Sequence, residues 1–283
     1  MRRAFRRHSR EEEEESAFVS MTDMTVSFLF ILMILLAFFA SQFNPAETVL
    51  KSVYDEAAKT IEEQRRLIAE LSKPDPLETY IAQTASERRN ILERLRERLL
   101  AEFPDLNVVI SAENDALRFQ GDGWFDSSSA AFRNQQTALV VQRIAVRLNE
   151  ILPCYTFGRL ASWNKECNPN GAIIEAVQIE GHTDSSGIFI NNLRLSTERA
   201  ITTFAEMQGV QPHLIEHLNH RQQPVLSVAG YGPMRPIAGN ASPEERATNR
   251  RIDLRIIMFT PGTTAEIERI QDRLQAAVGQ KRP

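Results

Sequence analysis

The chain is poor in cysteine and, over one long stretch, has no charge at all. Only Cys154 and Cys167 occur in its 283 residues, and neither has neighbours of ligand type at the spacing a zinc site requires, so no metal centre is expected. Basic residues are not in excess. The sequence holds 33 Lys and Arg against 37 Asp and Glu, for a net charge of −4, which gives no electrostatic basis for direct nucleic-acid binding. A phosphate-binding glycine loop, a nucleophile elbow and a dinucleotide fingerprint are all missing, so neither an enzymatic activity nor a cofactor is expected.

The charge-free stretch runs from Met24 to Phe43. As an α-helix rising about 1.5 Å per residue, it spans roughly 30 Å, the hydrocarbon thickness of a bilayer. Apolar character begins earlier, at Ala17, so a span over residues 16–43 carries Asp23 about two turns inside its start. Ser20, Asp23 and Ser27 share one helical face. A carboxyl group at that depth costs on the order of 2.5–3.5 kcal/mol, which directs it toward a partner or a wet cavity. The alternative is an Asp at headgroup level, favoured by the helix N-terminus.

Ahead of the span lie five arginines in MRRAFRRHSR and then Glu11 to Glu15. Basic residues flanking a span hold that side in the cytoplasm. The expectation is a short cytoplasmic tail (1–15), one inner-membrane span, and an exported remainder. Phe38 stands where a small residue would precede signal cleavage after Ala40, and no cysteine follows the span to carry a lipid. An uncleaved anchor is therefore expected. In an oxidising periplasm Cys154 and Cys167 form a disulfide candidate worth about 3 kcal/mol of loop closure, with free buried thiols as the alternative.

Residues 44–104 read as two helices interrupted at Lys73-Pro74-Asp75-Pro76. Their apolar stripes are too narrow for a core of their own, so they pack on a second copy of the chain or on the domain that follows. From Asn107 the period changes to alternation, with a hairpin punctuated by Asn114-Asp115 and Gly121-Asp122-Gly123. A helix is expected over 129–152 and a loop excursion over 153–172. Strand IIEAVQIEGH, helix LSTERAITTFAEMQGV, strand PVLSVAGYG, short helix PEERATN and strand RRIDLRIIMF complete a domain over 105–260. Strand and helix alternate, which defines an α/β sandwich of helices on a sheet. A helical tail over 261–283 closes the chain.

Three strings stand in order within that domain: GHTDSSG at Gly181–Gly187, NNLRLSTERA at Asn191–Ala200 and ERATNRRID at Glu245–Asp253. An Asp at a strand end accepts from an ammonium, while an arginine fork suits a carboxylate, so Asp184 and Arg199 together fit a zwitterion. A structural Asp–Arg pair bracing a turn is the other reading. His182, a lone strand-end histidine with no third ligand near it in sequence, reads as a loop-holding residue.

The strings resemble the OmpA-like peptidoglycan-binding family over about residues 107–259, including a Phe-Asp-Ser turn at 125–127. The resemblance implies an OmpA-like α/β domain that holds the diaminopimelate of the stem peptide through Asp184 and Arg199. It implies further peptidoglycan contacts at Asn192, Arg246, Asn249 and Arg250, with an architectural role as the alternative for Asn249 and Arg250. Glu245 stands where the family usually has glycine.

A membrane carboxylate, a helical stalk and such a domain together resemble the stator B-subunits of the MotB type. Within that group, MTDMTVSFLFILMILLAF is most similar to the ZorB-type subunits of Zorya anti-phage defence. That resemblance implies a proton-carrying Asp23 with Thr22 and Ser27 beside the ion path. It also implies a homodimer inside a ring of multi-span ZorA-like partners. A flagellar-type stator subunit and a purely structural envelope tether are the alternatives. Residues 46–61 read as stalk, or as a plug over the ion path.

Overall fold

The computed structural model describes residues 4–120, 123–126 and 128–279, with the side chains of 4–20, 43–48 and 277–279 left out of the description. The expected turn residues Gly121 and Asp122, Ser127 of the Phe-Asp-Ser turn, and the side chains of the arginine-rich leader and of Ser20 lie outside the described residues.

The chain divides into two units, Met1–Lys73 and Pro74–Pro283. In the first, helix α1 (Ala4–Leu71) is continuous. The expected span and the first stalk helix are thus one helix, which runs through Pro45 although proline removes a backbone donor at that turn. Its segment Met21–Gln42 is long and apolar enough to cross a membrane, with a mean hydropathy of 2.5.

The second unit opens with α2 (Pro76–Glu102), whose start is encoded locally. Asp75 accepts from the Leu77 amide at 2.8 Å, and Pro76 occupies a position where its missing N–H costs nothing. Tyr80, Thr84, Ile91, Leu92, Leu95 and Leu99 are buried along one side of α2. Tyr80 and Thr84 take the inward places in its first turns, whereas Ile81 of the expected stripe is 40% exposed. Of the two packing options for this helix, the following domain is the one seen. α2 thus belongs to the second unit, which begins at Pro74.

The sheet comprises β1 (Val108–Ile110), β2 (Ala116–Gln120), β3 (Ile174–His182), β4 (Leu226–Gly232) and β5 (Arg251–Met258), in the order β1-β2-β5-β3-β4. Only β3 and β4 pair in parallel; the other neighbours are antiparallel. The parallel pair follows from the crossover helix between them, α4 (Phe189–Val210). α2 and α4 lie against the strands, and α3 (Gln135–Ile151) packs on both helices. α3 starts later than expected, where Asn134 caps the Thr137 amide at 2.9 Å.

Strand alternation sorts the residues by face. Val177 and Ile179 of β3, with Ile252, Leu254 and Ile256 of β5, join the apolar core under the helices. Glu180, His182, Arg251 and Asp253 occupy the alternate positions of the same strands. α5 (Pro243–Asn249) fits the sequence reading, and α6 (Thr264–Gly279) does more than decorate the surface. Ile270 and Leu274 of α6 form a small separate core with Phe157 and Ile173. Cys154 and Cys167 are bonded, with Cα atoms 6.3 Å apart. Asn168 ties that excursion down through the Cys154 and Ala172 backbones.

Candidate functional site

The site is built where β3 ends. α4 lies very close to β3 and β4, and glycine permits it: a Cβ on Gly181 would sit 1.9 Å from the Ser196 carbonyl oxygen, and one on Gly230 would sit 2.0 Å from Thr197 Oγ1. Ser196 also accepts from the Gly232 amide at 2.8 Å, which clips α4 to the end of β4. This packing presents Asp184 at the sheet rim beside the first turns of α4.

Asp184 is buried and held on both oxygens. Oδ1 accepts from the Ser186 amide at 2.7 Å, and Oδ2 accepts from Arg250 Nη1 at 2.5 Å. Burial pushes its pKa up, but the Arg250 and Ser186 hydrogen bonds outweigh burial and leave the carboxyl below the usual aspartate range. Asn192 shapes the adjoining loop by donating to the carbonyls of Asp184 (3.3 Å) and Ser186 (2.7 Å). Arg199 is 6% exposed and lies over the Phe125 ring at 5.0 Å. It donates from Nε to the Ser129 carbonyl at 2.9 Å and from Nη2 to the Asp126 carbonyl at 3.1 Å.

These residues surround a cleft of about 370 Å³. Asp184, Asn192, Arg199 and Arg250 of the sequence-derived set all line it, joined by Trp124, Phe125, Arg133 and Arg251. Four arginines and one carboxylate line it, although Arg251 is turned to Asp253 and Arg199 to the Ser129 and Asp126 carbonyls. The local excess of positive charge favours an anionic group on a ligand. Nothing in the local pattern singles out Trp124 or Arg133, because they reach the cleft on the segment after β2, far from the three motifs.

Two expected contacts do not reach the cleft. Arg246 donates to the Asn240 and Ala241 carbonyls, both at 2.9 Å. Asn249 is fully buried; its Oδ1 accepts from Ile237 and Ala238, and its Nδ2 donates to Ala238, Gly239 and Asn240. Both therefore hold the loop before α5, Arg246 through Nη1 and Asn249 with both ends of its amide. Glu245 has a local task too. It completes a capping box with Ser242, which starts α5.

Beneath the cleft, the sheet's polar face carries a buried cluster that the sequence does not disclose. Glu180 and Asp253 are paired across β3 and β5, and an oxygen of each lies 3.6 Å from His182 Nε2. His182 was expected to hold a loop; instead neither of its ring nitrogens is hydrogen-bonded, and the ring stacks on Tyr231. Burial pushes its pKa down against the pull of Glu180, so the ring is neutral at pH 7. Although these three residues offer metal-type ligand atoms, their carboxylates already have counter-charges. Arg255 grips Glu180 at 2.7 and 3.1 Å, Arg251 Nε donates to both Asp253 oxygens at 3.1 Å, and Arg118 approaches Asp253 at 3.4 Å. The set is an electrostatic brace for the rim.

In the first unit, Thr22, Asp23 and Ser27 are exposed on α1. Asp23 and Ser27, four residues apart, share a face, and Thr22 sits about 100° round the helix from Asp23.

No protein-family model matches the chain. It is 35% identical over 151 residues to the probable lipoprotein YiaD of Escherichia coli, a match covering 53% of this chain and 54% of that protein. It is 38% identical over 78 residues to outer membrane porin F of Pseudomonas aeruginosa, covering 28% of this chain and 20% of the porin. The chain thus spans about half or less of these relatives. The periplasmic domain of Helicobacter pylori MotB overlaps 65% of this chain and 94% of that domain at 19% identity, with a TM-score of 0.39. A likeness of that size carries no functional weight.

Proposed function

We propose that this chain is a peptidoglycan-anchored B-type stator subunit of a proton-driven membrane motor, acting in anti-phage defence of the Zorya type. The cleft at Asp184, Arg199 and Arg250 takes the diaminopimelate of the wall's stem peptide. Arginines receive its carboxylates and Asp184 its ammonium, with Arg250 shared between Asp184 and the ligand. The sequence likeness to envelope proteins supports a periplasmic domain, and the apolar segment of α1 supports an inner-membrane anchor with its N-terminus in the cytoplasm.

The observation that carries the motor reading is Asp23. It is a carboxyl group near the start of a 22-residue apolar segment, in the same chain as a wall-type binding cleft. An intramembrane carboxylate that gains and loses a proton at the interface with a multi-span ZorA-like ring supplies the ion step. Two copies of this chain at the ring's centre, gripped by the wall, keep the subunit still while the ring turns.

Asp23→Asn tests this reading in cells challenged with phage. Protection is expected to disappear while membrane insertion and retention on sacculi stay at the wild-type level. Unchanged protection would favour a structural envelope tether, and a loss of swimming in place of protection would favour a flagellar stator.

A further inference from the structure

His182 closes β3, and the two residues that follow it, Thr183 and Asp184, line the cleft at the rim. Its ring is 1% exposed, and neither nitrogen is hydrogen-bonded. Buried polar atoms normally have partners, so an imidazole left with none is an exception that needs a cause. Nε2 stands 3.6 Å from a Glu180 oxygen and 3.6 Å from an Asp253 oxygen, slightly beyond hydrogen-bond reach. A small rotation of a protonated ring reaches either carboxylate. A neutral ring gains less from that move, because both carboxylates already have arginine partners.

The strands that border the ring all contribute charged or polar groups. Glu180 comes from β3 itself, Arg251, Asp253 and Arg255 from β5, and Arg118 from β2, while Asp115, just ahead of β2, also holds Arg255. From β4, Tyr231 stacks on the ring at 5.3 Å, and the Arg235 guanidinium lies 3.8 Å from the Tyr231 centroid. Glu180, Asp253 and Asp115 offset Arg118, Arg251 and Arg255 charge for charge. A proton on His182 is therefore uncompensated positive charge beneath the cleft. It also competes for Asp253 with Arg251, which borders the cleft while its Nε donates to both Asp253 oxygens.

We propose that His182 is a proton sensor for the cleft above it, and that protonation of its ring tightens the hold on an anionic wall ligand. The proposal rests on the wall-anchoring reading of that cleft. Both effects of the proton act in one direction: positive charge is added below the ligand, and Arg251 is partly released toward it. Burial keeps the ring neutral at pH 7, so the sensor responds only to acidification. By linkage, a bound anion raises the ring's affinity for its proton by the same factor. A periplasm rich in protons, the condition under which a proton-driven ring turns, is then also the condition under which its anchor holds hardest.

The test is isothermal titration of the full chain in detergent with an N-acetylated, diaminopimelate-containing tetrapeptide at pH 7.0 and 5.5. No group of that peptide titrates in this range, and Asp184, held below the usual aspartate range, stays ionised. Affinity is expected to rise about threefold at the lower pH. His182→Gln should give equal affinities at the two values. A second measurement needs no substitution: NMR titration of the chain labelled at its five histidines should show one imidazole pKa rising when the peptide saturates the cleft. Equal affinities in the unsubstituted chain, a pH dependence that survives His182→Gln, or five histidine pKa values indifferent to the peptide would overturn the sensor alone. Absence of binding at both pH values would overturn the wall-anchoring reading and the sensor with it.

Discussion

Arg250 Nη1 lies 2.5 Å from Asp184 Oδ2, joining two residues 66 positions apart at the mouth of the cleft. The pair is unequally covered, with the arginine side chain 28% exposed and the aspartate 11%. Arg250 is therefore the more accessible partner, and its charge holds Asp184 ionised.

Arg250 and Arg199 are expected to separate binding from folding. Arg250→Ala leaves Asp184 with the Ser186 amide and should cost about 1 kcal/mol of stability, because the pair is partly solvated. Arg199→Ala strips a charged donor from two backbone carbonyls and from the face of Phe125, and should cost about 2–3 kcal/mol. Urea melts of the two variants check this order. Both should lose retention on purified sacculi, and full retention by Arg250→Ala would remove it from the ligand set.

Gly181→Ala should prevent folding, or cost at least about 3 kcal/mol, because its Cβ meets backbone that no rotamer change can move. Gly123 provides the control, since a Cβ there meets nothing within 4 Å. Comparing the yield and melting temperature of the two alanine variants decides the matter.

The domain should lose stability on mild acidification. His217 is fully buried against Thr156, and burial pushes its pKa from 6.5 down to about 4, with Glu216 opposing weakly. The sign follows from proton counting. Between those two values the unfolded chain binds a proton that the folded chain refuses, so the contribution is whole above pH 6.5 and is lost as pH falls toward about 4. For a shift of this size the loss is up to about 3 kcal/mol, and His182 acts in the same direction. Urea melts at pH 7.5 and 5.0, which cross about 1.5 units of that window, should differ by about 2 kcal/mol from His217. The difference should shrink in His217→Gln.

Replacing Cys154 and Cys167 by alanine should lower stability by about 2–4 kcal/mol, through release of a loop with 13 residues of sequence separation. The same loss should follow addition of a reductant to the unsubstituted chain. A melting temperature indifferent to both treatments would show that Asn168 alone secures the excursion.

Much of the domain was readable from local rules. Period-2 alternation marks β3 and β5, whereas the Asn134 cap that delays the start of α3 was not read from the sequence. The motif residues Asp184, Asn192, Arg199 and Arg250 were legible as one site because three short strings stand in order. Arg246 and Asn249, within the same strings, turned out to brace a loop. Motif spacing alone cannot tell a residue that faces a ligand from its neighbour one helical position away.

The amino-acid order by itself determined the apolar segment with its Asp23, the alternation of strands and helices, and the glycines that let α4 approach the sheet. These depend on contacts within a few residues or on composition, so they are written locally. Pairing Asp184 with Arg250, burying Glu180, His182 and Asp253 together, and bringing Trp124 into the wall of the Asp184 cleft were decided only by the tertiary structure. Each joins segments tens of residues apart, and strand register, not sequence proximity, sets which side chains meet.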